Sequence, residues 1–364
     1  EYDWGEDRQQ LECGNCGAEI LLTPQSLTHT CPFCGSSQVV QTQFKKDKMR
    51  PRYLIPFTVE AQKAKSIILE WLGSSWMTPR DLEKRAGLDD LTGIYLPYWT
   101  FSATCGADWK AQVGHTTYYT DSKGNRRSRT TWRWESGKVR EPINNLLVPG
   151  TNKLNTRMLE EINQFQMEGL VEYDPSYLAG FNAQTYDVEL DAAWSEGRRR
   201  MGELTKRACK KQASTNKIRN FSMNMDFDDE TWRYILLPVY LTTYRYEEET
   251  FQVKVNGQNG EITGQRPVDW RKVMAACAAT IIPSILIALA ALIFGTRIGG
   301  ADGLNLLTVA GIAFVLGLVA TAYIVYSALQ VRKAEAFTSI VGGQLPGQLS
   351  DLSDMVNSNI DFRL

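Results

Sequence analysis

Two long apolar runs lie towards the C-terminal end of the chain. Residues 273–294 and 304–329 contain no charged side chain, whereas the connection at 295–303 carries two. As a helix, the first run of 22 residues measures about 33 Å, enough to cross a hydrocarbon core of about 30 Å. We therefore predict a transmembrane hairpin over 271–333. Two buried helices of a soluble protein are the alternative, which two uncharged runs in succession disfavour.

Basic residues flank the hairpin on the same side. Arg271 and Lys272 precede the first run, and Arg332 and Lys333 follow the second. By the positive-inside rule, both ends lie in the cytoplasm. We expect a multi-pass protein of a bacterial inner membrane whose tail, 334–364, is cytoplasmic. Because neither run contains an ionisable residue, we do not expect ion transport by the hairpin alone.

The region 44–270 alternates between strand-like and helical patterns. A long basic helix is predicted over 187–214, either solvated or facing anionic lipid or an acidic partner. Alternating residues and turn signals predict two antiparallel hairpins. Their strands are 94–112 with 115–120 and the return 126–135, and 232–246 with 251–255. YLPYW at 95–99 resembles LLPVY at 236–240, which suggests a duplicated β unit, about 92–150 and 230–265.

Four of the seven cysteines form two CxxC pairs, Cys13 with Cys16 and Cys31 with Cys34, fourteen residues apart. This spacing predicts a zinc ribbon in which four thiolates surround one structural Zn²⁺. Four thiolates close the coordination shell, which argues against catalytic zinc. A redox dithiol pair or an iron site is the alternative. We expect His29 to be a surface turn residue rather than a ligand.

The overall charge is nearly neutral, with 40 basic and 41 acidic residues. It therefore gives no general case for binding nucleic acid, although local basic stretches occur at 45–52 and 126–133. The sequence contains no GxxxxGK[ST], GxSxG or HExxH motif and only two histidines. Nothing in it singles out catalytic residues.

Several motifs together resemble a known family. They are CGNCG at 13–17, CPFCG at 31–35, GIYLPYWTF at 93–101, LLPVYLTTY at 236–244 and VNGQNGEITG at 255–264. Followed by an apolar hairpin, they resemble bacterial zinc-ribbon membrane proteins often described as TFIIB-type or primosomal-helicase-like. Without a phosphate-binding loop, a helicase activity is not expected. The resemblance implies partnership with SPFH (flotillin-like) and phage-shock-type proteins in membrane stress, and it offers only the four cysteines as a site.

We expect a multi-domain α+β membrane protein with a zinc ribbon at 1–43, a β-rich α+β region at 44–270, the hairpin and the tail. The leading hypothesis is a non-enzymatic, membrane-anchored adaptor, which would suit a multi-subunit assembly. One alternative is a tethered nucleic-acid-binding protein, made less favourable by the neutral charge. Another is an enzyme or lipid-handling protein with a pocket in the central region.

Overall fold

The computed structural model describes residue 4 and residues 9–22, 30–43, 48–85, 91–152, 164–247, 249–298 and 300–335. The N-terminal half contains β1 (Gln9–Cys13), β2 (Glu19–Leu21), β3 (Val39–Gln43), β4 (Tyr53–Leu54), α1 (Ala61–Gly73), α2 (Leu82–Arg85), β5 (Thr92–Thr120) and β6 (Arg126–Pro149). The C-terminal half contains β7 (Val171–Glu172), β8 (Asn182–Gln184), α3 (Leu190–Gln212), β9 (Ile218–Tyr246), β10 (Glu249–Asn256), β11 (Ile262–Gly264), α4 (Trp270–Ile298) and α5 (Gly300–Glu335). The chain is a mixed α+β protein with two apolar helices near its end.

All the described strands belong to one sheet with β5 and β9 at its centre. Its main path runs β11-β10-β9-β5-β8-β2-β1-β3, with β6 beside β5, and β4 beside both β9 and β7. The N-terminal strands join through β2, where Ile20 pairs with Gln184 and Leu21 with Ala183. The sheet therefore extends across the predicted boundary between residues 43 and 44.

The hydrophobic core also crosses that boundary. Cys13, Cys31 and Phe33 are buried in the same cluster as Leu96 and Leu237 of the central strands. Burial of these apolar side chains helps to hold the N-terminal strands against the rest of the sheet. The ribbon cysteines thus belong to the main core.

The two motifs with similar sequences lie directly opposite each other in β5 and β9. Leu96 pairs with Leu237, so that Pro97 faces Leu236 and Pro238 faces Tyr95. Pairing centred on equivalent residues gives this part of the sheet a local pseudo-twofold axis.

The hydrogen bonds around this axis follow the same symmetry. The amide of Gly150 donates to the Pro97 carbonyl at 2.8 Å, and that of Gly257 donates to the Pro238 carbonyl at 2.8 Å. Each glycine carbonyl then accepts two amides: Gly150 from Asp187 and Val188, and Gly257 from Thr58 and Val59. The equivalent parts are β4-α1-β5-β6 and β8-α3-β9-β10, so the repeated unit begins before residues 92 and 230. Descent of both units from one ancestral unit stays a prediction.

Beyond the core, three strands continue as an extension that we call the arm. It consists of residues 101–120 of β5, 126–143 of β6 and 218–233 of β9. In the arm, alternate residues of β5 are buried beneath α3, among them Phe101, Cys105 and Trp109. The hairpin turn at 121–125 is confirmed, but the predicted break after Gln112 is wrong because β5 is continuous. Strand β9 begins fourteen residues before the predicted 232.

The early part of β9 could have been recognised from its alternation. Phe221, Met223 and Met225 pack against the cluster under α3, while the residues between them are polar and exposed. Alternation of this kind is typical of a half-buried strand. The predicted helix at 187–214 is confirmed as α3.

The helices α4 and α5 contain two segments that are long and apolar enough to cross a membrane, Trp270–Phe294 and Asn305–Leu329, each 25 residues long. They pack together through small and polar side chains: the hydroxyls of Thr280 and Thr321 lie 2.8 Å apart, and Gly317 lies against Ser284. The described residues of the predicted connection are helical, those up to Ile298 in α4 and those from Gly300 in α5.

The packing of α3 on the arm can be tested with two glycines of the same helix. A Cβ added at Gly197 would lie 2.7 Å from the buried ring of Phe101, whereas one added at Gly202 would meet only Met225 Sδ at 3.7 Å. Overpacking costs about 1–3 kcal/mol, and replacing a helical glycine with alanine returns about 1 kcal/mol. We expect Gly197→Ala to lower the thermal unfolding midpoint in mild detergent and Gly202→Ala to preserve or raise it. Equal midpoints would contradict close packing at Gly197.

Candidate metal centre and its connection to the apolar helices

Two tight turns of the same design present the cysteines of the ribbon. The amide of Gly17 donates to the Cys13 carbonyl and that of Gly35 to the Cys31 carbonyl, both at 2.8 Å. Gly17 and Gly35 have φ angles of 66° and 70°, the left-handed region that glycine adopts most readily. These turns explain the glycine after each CxxC pair, because any other residue there would strain the backbone.

The turns bring four sulfurs into one cluster. Cys13 Sγ lies 3.7 Å from Cys34 Sγ, and Cys16 Sγ lies 3.7 Å from Cys31 Sγ. All four sulfurs lie within 4.8 Å of one another. This arrangement can hold a metal ion, with the four cysteines predicted from the CxxC spacing. His29 lies outside the described residues.

The electrostatics of the cluster favour a cation among the sulfurs. Hydrogen bonds to Cys16 and Cys34, together with burial, raise the pKa of Cys31 well above its ordinary value. Hydrogen bonds from Cys16 and Cys31 lower the pKa of Cys34. One thiolate is thus stabilised by thiols that keep their protons, because several negative charges this close repel. A bound metal cation would offset the repulsion among thiolates this close together.

The second CxxC turn, at residues 31–35, packs against the central sheet. The side-chain amide of Gln252 in β10 donates to the carbonyl of Phe33, whose ring is buried. A Cβ at Gly35 would approach Thr243 Oγ1 to 3.2 Å. The side-chain amide of Asn15 donates to Cys34 Sγ at 3.6 Å. Asn15 could have been suspected from its place inside a CxxC pair, whereas no local signal points to Gln252.

Helix α1 and the loop after it form hydrogen bonds with the beginning of α4 and the segment just before it. The amide of Asp269 donates to the Met77 carbonyl at 2.8 Å, and the ammonium group of Lys272 donates to the Thr78 carbonyl. Arg266 also donates to the Trp71 carbonyl at 2.7 Å, and its guanidinium lies over the Trp71 ring. The first apolar helix therefore starts from a fixed position on the region around α1.

Two open cavities border this junction. One of about 1200 Å³ includes Asp269 and Trp270 in its lining, and one of about 790 Å³ lies between Trp76 and Ala276. Charged side chains of both signs face the larger one. A predicted ligand pocket in the central region is therefore best sought here, next to the first apolar helix.

Several residues of the basic stretches are engaged within the chain. Lys48 pairs with Glu189 at 3.1 Å, and Arg127 with Asp121 at 3.2 Å. In α3, Arg198 pairs with Glu230 at 2.7 Å, and bonds from Arg199 and then Arg200 lower the pKa of Glu196 to about 2. Lys45 and Lys46 lie outside the described residues. Because these basic side chains pair with acidic side chains of the same chain, their charges are explained by the fold without a bound lipid or acidic partner.

Comparison with known proteins gives one distant relative to report. A Bacillus subtilis (strain 168) protein described as "Uncharacterized protein YdjG" is 22% identical over 241 residues, which cover 62% of this chain and 67% of that protein. No family model matches the chain. No solved structure matches it either.

Replacing a metal-site cysteine tests the coordination and its link to the core. We expect Cys13→Ser and Cys31→Ser to lose the bound metal and to lower the unfolding midpoint of the whole sheet, because these side chains are buried in the shared core. Both variants should still fractionate with membranes. Elemental analysis and thermal unfolding measure the effects, and Cys277→Ser, in α4, is the control that keeps its metal. Undiminished metal in both variants would rule out a four-cysteine site.

Two glycine-to-alanine variants distinguish the need for a positive φ angle in a CxxC turn from the effect of adding a methyl group there. Gly35→Ala is expected to weaken metal binding at least tenfold, because φ is 70° there and the new Cβ would crowd Thr243. Gly14→Ala, in the other turn, meets its nearest atom at 3.5 Å and has no positive φ, so it should bind metal normally. Competition with a chromogenic chelator measures both affinities, and equal affinities would contradict this role for Gly35.

Proposed function

We propose that this protein is a non-enzymatic adaptor of a bacterial inner membrane, which holds a zinc-stabilised sheet at the cytoplasmic surface for other proteins to bind. The observation that carries the proposal is the physical connection among its parts. The four-cysteine cluster joins the sheet through β2 and β8. Helix α1 packs against β10 of that sheet, and the loop after α1 accepts a hydrogen bond from the amide of Asp269, just before α4.

The geometry of the sulfur cluster supports zinc as the metal. Four sulfurs about 2.3 Å from a central Zn²⁺ form a tetrahedron whose edges are about 3.8 Å. Two separations in the cluster, between Cys13 and Cys34 and between Cys16 and Cys31, are 3.7 Å each and close to that value. Thiolate ligands also suit Zn²⁺ better than the hard ions Mg²⁺ or Ca²⁺. A closed shell of four protein ligands fits a structural role.

Aromatic residues support the membrane assignment and its orientation. The contacts between Thr280 and Thr321 and between Ser284 and Gly317 make α4 and α5 antiparallel, so the start of α4 lies level with the end of α5. Tyr323 and Tyr326 are 70% and 60% exposed near that end. Trp and Tyr favour the boundary between lipid and water, and the adjacent Arg271 and Lys272 favour the cytoplasmic side.

The proposed partners are SPFH (flotillin-like) or phage-shock-type proteins in a membrane-stress response, and this part of the proposal rests on the motif resemblance. An adaptor needs a rigid surface at a fixed distance from the bilayer. The hydrogen bonds from Asp269 and Lys272 to the loop after α1 are suited to holding the sheet in that way.

Recovery of the tagged protein from native membranes tests the proposal. After mild crosslinking and detergent extraction, mass spectrometry should find an SPFH or phage-shock-type protein with the unaltered chain and with Cys277→Ser. The same partner should be lost with Cys13→Ser if the metal-stabilised surface binds it. Recovery of the protein alone, or with only lipid or nucleic acid, would overturn the adaptor role.

A further inference from the structure

The arm has two long strand edges that carry no partner strand among the described residues. Strand β6 pairs with β5 alone, and the first part of β9, from Ile218 to Arg233, also pairs with β5 alone. Among the described residues, α3 reaches the β6 backbone at Gln212, whose side-chain amide donates to the Lys138 carbonyl. Uncovered edges of this length are templates for pairing with another strand.

The two edges carry opposite charge. Residues 126–143 of β6 contain six basic and two acidic side chains, whereas residues 218–233 of β9 contain two basic and four acidic ones. Charged residues on an edge oppose pairing with an edge of the same sign. Four of the six basic residues of β6 lie at 126–133, where they oppose pairing of that stretch with a second β6.

Direction and length also match. Strands β6 and β9 both run antiparallel to β5, so they run parallel to each other. Joining β6 of one chain to β9 of the next would continue the sheet with every chain in the same orientation, which suits chains anchored in one membrane. Positive φ angles at Asn220 and Asp229 interrupt β9, but the eight residues between them form an unbroken stretch.

We infer that the arm is a self-association surface, in which the β6 edge of one chain pairs in parallel with residues 221–228 of β9 in a second copy. Such head-to-tail pairing is heterologous, so it forms a ring or an open array rather than a closed dimer. The inference goes beyond the adaptor role and holds whichever proteins are recruited.

The register follows from the partners that β6 and β9 share across β5. Lys110 pairs with Ser136 on one side and Ser222 on the other, and Gly106 pairs with Arg140 and Asp226. Without a shift along the strands, Ser136 of one chain lies beside Ser222 of the next, and Arg140 beside Asp226. The β6 residues beside 221–228 are then 135–142, which carry two basic and two acidic side chains. Arg140 beside Asp226 places opposite charges next to each other, and Arg140 also pairs with Asp228 of its own chain at 3.1 Å.

Engineered cysteines test this pairing in the full-length protein in membranes. Within one chain, positions 136 and 222 lie two strand spacings apart, roughly 10 Å, which is too far for a disulfide. Between chains, they would be about 5 Å apart, within reach of one. Oxidation of Ser136→Cys/Ser222→Cys should therefore give a ladder of covalent multimers on a non-reducing gel. Co-expressed single variants should give dimers only.

The control is Ser128→Cys/Ser136→Cys, which places both thiols on β6 and should give no ladder. Ser136→Cys/Asn224→Cys and Lys138→Cys/Ser222→Cys report pairings shifted by two residues in either direction. Absence of a ladder from all three β6–β9 pairs would overturn the inference, as would a ladder of equal strength from the control.

Charge reversal tests the attraction between the edges. In the Ser136→Cys/Ser222→Cys background, Lys138→Glu with Arg140→Glu should reduce the multimers at least tenfold, and adding Asp226→Lys should restore them in part. Because Lys138 and Arg140 also pair with Asp108 and Asp228 of the same chain, an unchanged unfolding midpoint is needed to show that the arm of each variant is intact. The same amount of covalent multimers in all of these variants would contradict pairing through opposite charges.

Discussion

The antiparallel pairing of β5 with β9 is the interaction on which the other parts of the structure depend. At its centre Leu96 faces Leu237, and the prolines that follow each leucine offer their carbonyls to Gly150 and Gly257. The carbonyl of each glycine accepts hydrogen bonds from the segment that leads into a helix, which is α3 for Gly150 and α1 for Gly257. Thus one local pattern occurs twice and orders both halves of the sheet, and the loss of either glycine bond would affect the helix that follows the bonded segment and the strands beside that helix.

The position of the four-cysteine cluster also depends on the pairing of β5 with β9. The short strand β8 lies beside β5 on one side and carries β2 on the other, so the ribbon is added to a sheet whose centre is already defined. Without a cation, ionisation of one of the four clustered thiols opposes ionisation of the next. Metal binding and packing of the shared core therefore stabilise each other.

Local features were predicted well from sequence. The four cysteines, the turn at 121–125, the helix at 187–214 and the two apolar runs depend on spacing, turn chemistry or periodicity within a short stretch. What could not be predicted was how distant segments meet. Three residues, Asn182, Ala183 and Gln184, join the ribbon to the sheet, and nothing in so short a stretch marks it as a strand. The early part of β9 was overlooked although its residues alternate, because polar and acidic residues are depleted in most strands.

The central claim is that the metal centre and the central sheet form one unit, and amide hydrogen exchange measures this most directly. The full-length protein, reconstituted in vesicles, would be compared with and without a metal chelator. The structure predicts faster exchange in the ribbon strands and also in β8 and the adjoining residues of β5 around Ile94, because these are joined in one sheet. Faster exchange confined to residues 9–43, with β8 and β5 unchanged, would contradict the claim.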